Sequence, residues 1–167
     1  MILEIKKFPD PVLRQKTTDV VNFDEELKEL VNNMAETMYA APGVGLAAPQ
    51  VGVTKRLFVI DISEKKDNLM VFINPKIINA EGEICEEEGC LSIPGEYANV
   101  TRSKEVEVFA YDVNGETFTL KADGLLSRAI QHELDHLNGK LFIDRLPLFK
   151  RDTIKKNIKR RKENGDY

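Results

Sequence analysis

The sequence predicts an α+β fold: mostly antiparallel sheets packed around a central helix that carries His-Glu-x-x-His, with a further helix at the C-terminus. Three observations predict it. The periodic segments run helix, several strands, helix, helix, not in the strand–helix alternation of a parallel sheet. Asn114-Gly115 separates two β-patterned runs, a hairpin signal that implies antiparallel pairing. The 167 residues are 42% hydrophobic and carry no repeat or low-complexity linker, which suits one core and a single domain spanning 1–167.

The elements follow in chain order. "FDEELKELVNNMAETMYA" places Leu27, Leu30, Val31, Met34 and Met38 on one helical face, as core. Asp24 suits the N-cap, and Pro42-Gly43 stops the helix by Ala41. "GVGLAAPQVG" (43–52) is too rich in Gly and Pro for a regular element and too apolar for an ordinary surface loop. "RLFVIDI" (56–62), "MVFINP" (70–75), "KEVEVFAYD" (104–112) and "ETFTLKA" (116–122) read as strands. "GLLSRAIQHELDHLNG" (124–139) reads as a helix closed by Asn138-Gly139, with Leu126, Ile130, Leu134 and Leu137 turned to the core. "PLFKRDTIKKNIKRRKE" (147–163) opens with a proline suited to a first helical turn.

Composition narrows the function. No apolar run is long enough to span a membrane. The N-terminus has acids and prolines where a secretory signal is unbroken and apolar, so a cytoplasmic location is expected. Two cysteines, Cys85 and Cys90, do not make a disulfide framework, and in a reducing compartment they point to metal or catalytic work. Net charge is −4, but residues 150–167 hold eight Lys or Arg against three Asp or Glu. That basic tail on an acidic body suggests a polyanionic neighbour, against the plainer reading of a solvated helix face.

The chemistry centres on "QHELDH" (131–136), which holds the chain's only histidines. Residues i and i+4 lie one turn apart on one helical face, so His132 and His136 can grip one ion. Glu133, turned about 100° from His132, can stand beside that ion as general base for the water it activates. Asp135 is a candidate for a group that supports the ligands from behind, but reads more simply as a surface acid of the helix. A catalytic site needs a third protein ligand and an open position. In the extended pattern of metzincins a third histidine follows, but Phe142 stands there, so the ligand is a carboxylate or a thiolate. Cys90, between glycines in "EEEGCLSIPG", has the better setting; Cys85 reads as a small buried residue in a strand.

Three stretches, "GVGLAAPQ" (43–50), "EGCLSIP" (88–94) and "QHELDH" (131–136), closely resemble peptide deformylase in sequence, order and spacing. The likeness spans most of the chain and looks like the bacterial form with a helical C-terminus. It implies removal of the formyl group from the N-terminal formyl-methionine of nascent polypeptides, releasing formate. Carried over by position, Cys90, His132 and His136 bind one divalent metal, Glu133 is the general base, and Gln50 with the backbone N–H of Leu91 polarises the formyl oxygen. The resemblance implies Fe(II), with zinc, nickel or cobalt able to take its place.

Val44, Leu125, Ala129 and Ile84 are candidates for the methionine pocket, and Gly43, Gly45 and Gly89 leave main chain open for strand-like pairing with a peptide. Arg128 departs from the apolar residue of many relatives. Its stem can line the pocket while the guanidinium reaches water. Arg102 is a candidate partner of Glu88, or an exposed arginine. The resemblance gives the basic tail a ribosomal RNA partner through phosphate contacts, and the protein is expected to be monomeric. Two rivals stand beside this reading: a zinc peptidase, which lacks its third histidine, and a non-enzymatic ribosome-binding module stapled by metal, which would need four protein ligands.

Overall fold

The computed structural model describes residues 1–167. Helix α1 (Glu25–Ala40) starts where Asp24 accepts the N–H of Leu27 at 3.0 Å, and ends just before Pro42. Five strands form one antiparallel sheet in the order β1 (Gly45–Ala47), β2 (Leu57–Ile60), β3 (Met70–Glu81), β6 (Glu105–Tyr111), β7 (Thr117–Asp123). Strands β4 (Ile84–Cys90) and β5 (Ile93–Arg102) form a separate antiparallel hairpin. Helix α2 (Gly124–Leu137) packs against β1, β2 and β7. Helix α3 (Leu148–Glu163) closes the chain, and no helix is long and apolar enough to cross a membrane.

The core explains the layering. All four residues of β2 are fully buried, because successive side chains point to opposite faces and both faces are covered. Leu57 and Val59 join Val31, Met34 and Met38 of α1, with Leu30 only half-buried. Phe58 and Ile60 join Ile130 and Leu137 of α2. The sheet therefore lies between α1 and α2. A third cluster, with Leu13, Ile93, Phe142, Ile154 and Ile158, fixes α3 to the β4–β5 hairpin.

Four local expectations need correction. Residues 45–47 do form a short strand, since Gly45–Ala47 pairs with Phe58–Ile60 at the sheet edge. Strand β3 continues six residues past Pro75. Asn74 takes a left-handed φ of 51°, and its side chain accepts from the N–H and donates to the carbonyl of Val20, so the bulge accommodates the proline. Pro147 caps α3 and does not enter its first turn. Cys85 is exposed, not buried, because the β4–β5 hairpin is open to solvent on both faces at this point: Cys85, Glu86 and Glu87 are exposed in succession.

Candidate active site

Leu125, Arg128, Ala129, His132 and Glu133 form one stripe of α2, and that stripe lines a cleft of about 630 Å³. The opposite walls are the 41–45 segment and the β4–β5 hairpin, including Gly89, Cys90 and Leu91. The thiol of Cys90 lies 3.4 Å from Nε2 of His136. One donor atom from each of Cys90, His132 and His136 falls within 4.8 Å of the others. Cys85, in contrast, lies outside this group.

The histidines are prepared as ligands. Nδ1 of His132 donates to Oε1 of Glu88 at 3.0 Å, which turns Nε2 toward the ligand group. Burial would lower the pKa of His132, but hydrogen bonds to Cys90 and Glu88 hold it well above the ordinary value, so a cation that binds Nε2 displaces a proton. Burial drives His136 well below its ordinary pKa and keeps it neutral, the form that binds a cation. Behind them runs a chain of charge. Arg102 donates to both oxygens of Glu88, at 2.7 and 2.8 Å, and to Asp135 at 2.9 Å. Arg145 donates to Asp135 at 2.6 and 2.7 Å. Burial alone would raise Glu88, but the hydrogen bonds from Arg102 and His132 hold it at about 2. Asp135 is likewise lowered against its burial by Arg145 and Arg102. Asp135 is therefore a buried link and not a surface acid, and Arg102 is an enclosed one and not an exposed arginine.

Glu133 is the exception. Burial pushes it up to about 7, the charges of His132 and Arg102 offsetting only part of the effect. Its Oε1 is enclosed with no hydrogen-bond partner. Gly45 is what lets the carboxylate fit: a Cβ there would lie 2.6 Å from Oε2. Gln50 is held from both ends. Its Oε1 accepts the Ala47 N–H at 2.9 Å, so Nε2 faces Ser92 Oγ at 3.1 Å and Cys90 Sγ at 3.6 Å. It closes its loop and aims an amide donor at the ligand group at once. Val44, Gly45, Gly89, Leu125 and Ala129 all line the cleft, whereas Ile84 does not.

A chain with this fold and these donors has clear relatives. The family model for polypeptide deformylase matches residues 2–152. The chain belongs to that family. It is 51% identical to a peptide deformylase of Endomicrobium trichonymphae, covering 99% of this chain and 98% of that one. With a peptide deformylase of Acidobacterium capsulatum the identity is 50%, over 100% and 99% of the two chains. Among solved structures, the Legionella pneumophila peptide deformylase superposes with a TM-score of 0.94 at 46% identity, covering 99% and 98%. That of Synechococcus elongatus, in complex with actinonin, gives 0.89 at 46%, covering 93% and 86%.

Deformylases are metal-dependent hydrolases that remove N-terminal formyl groups, and the Cys–His–His group here fits such an ion. The peptidase and stapled-module readings find no support among these relatives. Several cleft residues escaped the sequence reading. Ile5 and Lys7 come from the N-terminal segment and Tyr97 from β5, and none carries a local signal. Ser92, the partner of Gln50, lay within a motif already singled out.

Proposed function

We propose that Cys90, His132 and His136 hold one divalent ion, Fe(II) in the working enzyme, and that Glu133 acts as general base and then general acid on N-formyl-methionyl nascent peptides. The observation that carries this is the enclosed, unpartnered Oε1 of Glu133 beside three donor atoms within 4.8 Å of one another. A divalent ion there supplies a Lewis acid that lowers the pKa of water and draws charge from a carbonyl oxygen. One thiolate and two imidazoles suit Fe(II), zinc, nickel and cobalt alike, and the choice of Fe(II) here follows the family resemblance alone.

The chain's own residues do the rest. Glu133, an enclosed carboxylate beside the ligand group, takes a proton from the attacking water. The water oxygen adds to the formyl carbon, the C–N bond breaks, and Glu133 returns its proton to the departing nitrogen. The products are formate and a free amine. The Nε2 of Gln50 and the backbone N–H of Leu91 donate to the formyl oxygen as it gains charge. In support, the Ala47 N–H already fixes which end of the Gln50 amide faces Cys90. Gly45 and Gly89 leave backbone groups open for strand-like pairing, while Val44, Leu125 and Ala129 receive the methionine side chain.

The test is formate release from a short N-formyl-methionyl peptide by protein prepared without oxygen and loaded with Fe(II), with an N-acetyl peptide as control. Rapid release from the formyl peptide alone is expected. No release from protein shown to hold its metal would overturn the reading.

The chain acts, on this reading, as one monomeric catalytic domain (1–167) in the cytoplasm, docked to ribosomal RNA through α3. Ile154 and Ile158 fix that helix to the body, and Lys155, Lys156, Lys159, Arg160 and Lys162 remain exposed. Replacing Lys155, Lys156, Lys159 and Arg160 by Gln keeps the buried face intact, whereas deleting the helix would strip cover from Ile93 and Phe142. Ribosome co-sedimentation should weaken, and its salt slope should fall by roughly 0.7–0.9 per lost phosphate contact. Unchanged binding would sink the docking surface.

A further inference from the structure

We propose that Arg128 makes the first-residue pocket receptive to an oxygen acceptor, so that peptides beginning with N-formyl-methionine sulfoxide are substrates alongside those with the thioether. This rests on the reading above, in which Val44, Leu125 and Ala129 receive that side chain.

The stripe of α2 that faces the cleft sets the scale. Arg128 lies four residues before His132, one turn along the same face and about 6 Å along the axis. A side chain that leaves the reacting end and runs along α2 toward Leu125 therefore meets Arg128 on the way. The arginine is tethered, because one Nη donates to the Glu87 carbonyl at 2.8 Å and ties the guanidinium to β4 across the cleft wall. Its Nε–H is buried and has no partner.

Most of the other arginines that are held in place differ from it; Arg151, which bonds only the Asp144 carbonyl and also has a buried, unpartnered Nε, resembles it but does not line the cleft. Arg14, Arg102, Arg145 and Arg161 each grip a carboxylate: Asp144, Glu88 with Asp135, Asp135, and Glu96. Arg128 makes no ion pair, and its one hydrogen bond, from a single Nη, leaves the other Nη without a partner on a side chain that lines the cleft, while the unpartnered Nε is enclosed behind it. A thioether sulfur is a weak acceptor and does little for that donor. A sulfoxide keeps the length of the methionine side chain and adds a polar oxygen. Val44 and Leu125, both half-exposed, supply the apolar wall along which either side chain lies. The reaction is unchanged: water is consumed, formate and amine are released, and the sulfur arrives already oxidised and leaves so.

The experiment uses N-formyl peptides identical except for methionine, methionine sulfoxide or norleucine at the first position. They are turned over by the metal-loaded parent, Arg128→Leu and Arg128→Lys. The readout is the ratio of kcat/KM for sulfoxide over thioether, which cancels any general loss in a variant. The ratio is expected to drop about tenfold in Arg128→Leu, the worth of one charge-assisted hydrogen bond, and to recover in part in Arg128→Lys. The thioether-to-norleucine ratio should stay within about twofold. Equilibrium binding of the deformylated product peptides, which needs no turnover, should show the same order. Equal sulfoxide-to-thioether ratios in parent and Arg128→Leu, by rate and by product binding, would overturn the proposal. A parent that releases no formate from any peptide would fail the deformylase reading instead, and the product-binding ratio would still decide this one.

Discussion

Arg102 and Glu133 are equally enclosed, each 4% exposed, yet the fold treats them in opposite ways. Arg102 is surrounded by acceptors. It holds Glu88 with two hydrogen bonds and Asp135 with a third, and Arg145 completes the chain. Glu133 has an oxygen with no partner at all. A buried charge that is fully shared supports its neighbours, here the imidazole of His132. A buried charge left unmatched is costly to the fold and is free to move a proton. The same sequence motif thus borders a supporting network and a reactive group.

The sharpest way to break this contrast is Glu133→Gln. Turnover should fall about 10³-fold, within the range for a lost general base, while metal content stays at parent level. Stability should hold or rise, because an enclosed carboxylate is replaced by a neutral amide. Urea unfolding beside formate release would read both, and a destabilised but active variant would refute the assignment. Arg102→Met acts from the other side. It leaves Glu88 without its cation and Asp135 with only Arg145, and should cost about 3–5 kcal/mol in urea unfolding, with weaker metal retention. A loss under 1 kcal/mol would mean that the network is ornamental.

Gly45→Ala should give a smaller effect. Its Cβ would meet Oε2 of Glu133 at 2.6 Å, so the carboxylate or the β1 edge must shift. We expect about 1–3 kcal/mol of lost stability and at least a tenfold loss of turnover, read from kcat at saturating peptide. The smallest expected effect concerns Asp61, a buried carboxylate without a cation. Burial would raise its pKa, but Ser63, Tyr39 and Asn68 donate to it and hold it at about 2. A depressed folded value means that the stabilisation is present above about pH 4 and is lost as pH falls toward 2. Asp61→Asn should flatten the stability profile in that window, by about 1 kcal/mol. A profile identical to the parent's would show that hydrogen bonds alone do not tune this group.

What the sequence revealed follows from distance along the chain. His132, Glu133 and His136 are one helical turn apart, so their shared face is a local property. The Cys90 and Gln50 loops stand out because glycine and proline interrupt apolar residues there. The Arg102–Asp135 contact spans 33 positions and joins a hairpin to a helix, and no local pattern encodes it. The same holds for Ile5, Lys7 and Tyr97 in the cleft wall. The continuation of β3 past Pro75 depends on Asn74 reaching back to Val20, 54 positions away, which no window over the strand contains.

The complete burial of β2 has a cost before the protein is finished. "LFVI" offers no solvent face, so it has no position where a polar residue could mask it while the chain is being made. Its covering helix α2 begins 64 residues after the strand ends. Until then the segment has the composition of an aggregation nucleus, with high β-propensity and no charge. Arg56 and Asp61 flank it directly, a cation at one end and an acid at the other, and act as gatekeepers that resist stacking of like strands. Arg56 goes on to bond the Leu137 carbonyl at the end of α2, and Asp61 the Tyr39 hydroxyl of α1. The two charges that guard the strand in the unfinished chain become its ties to both helices in the folded one.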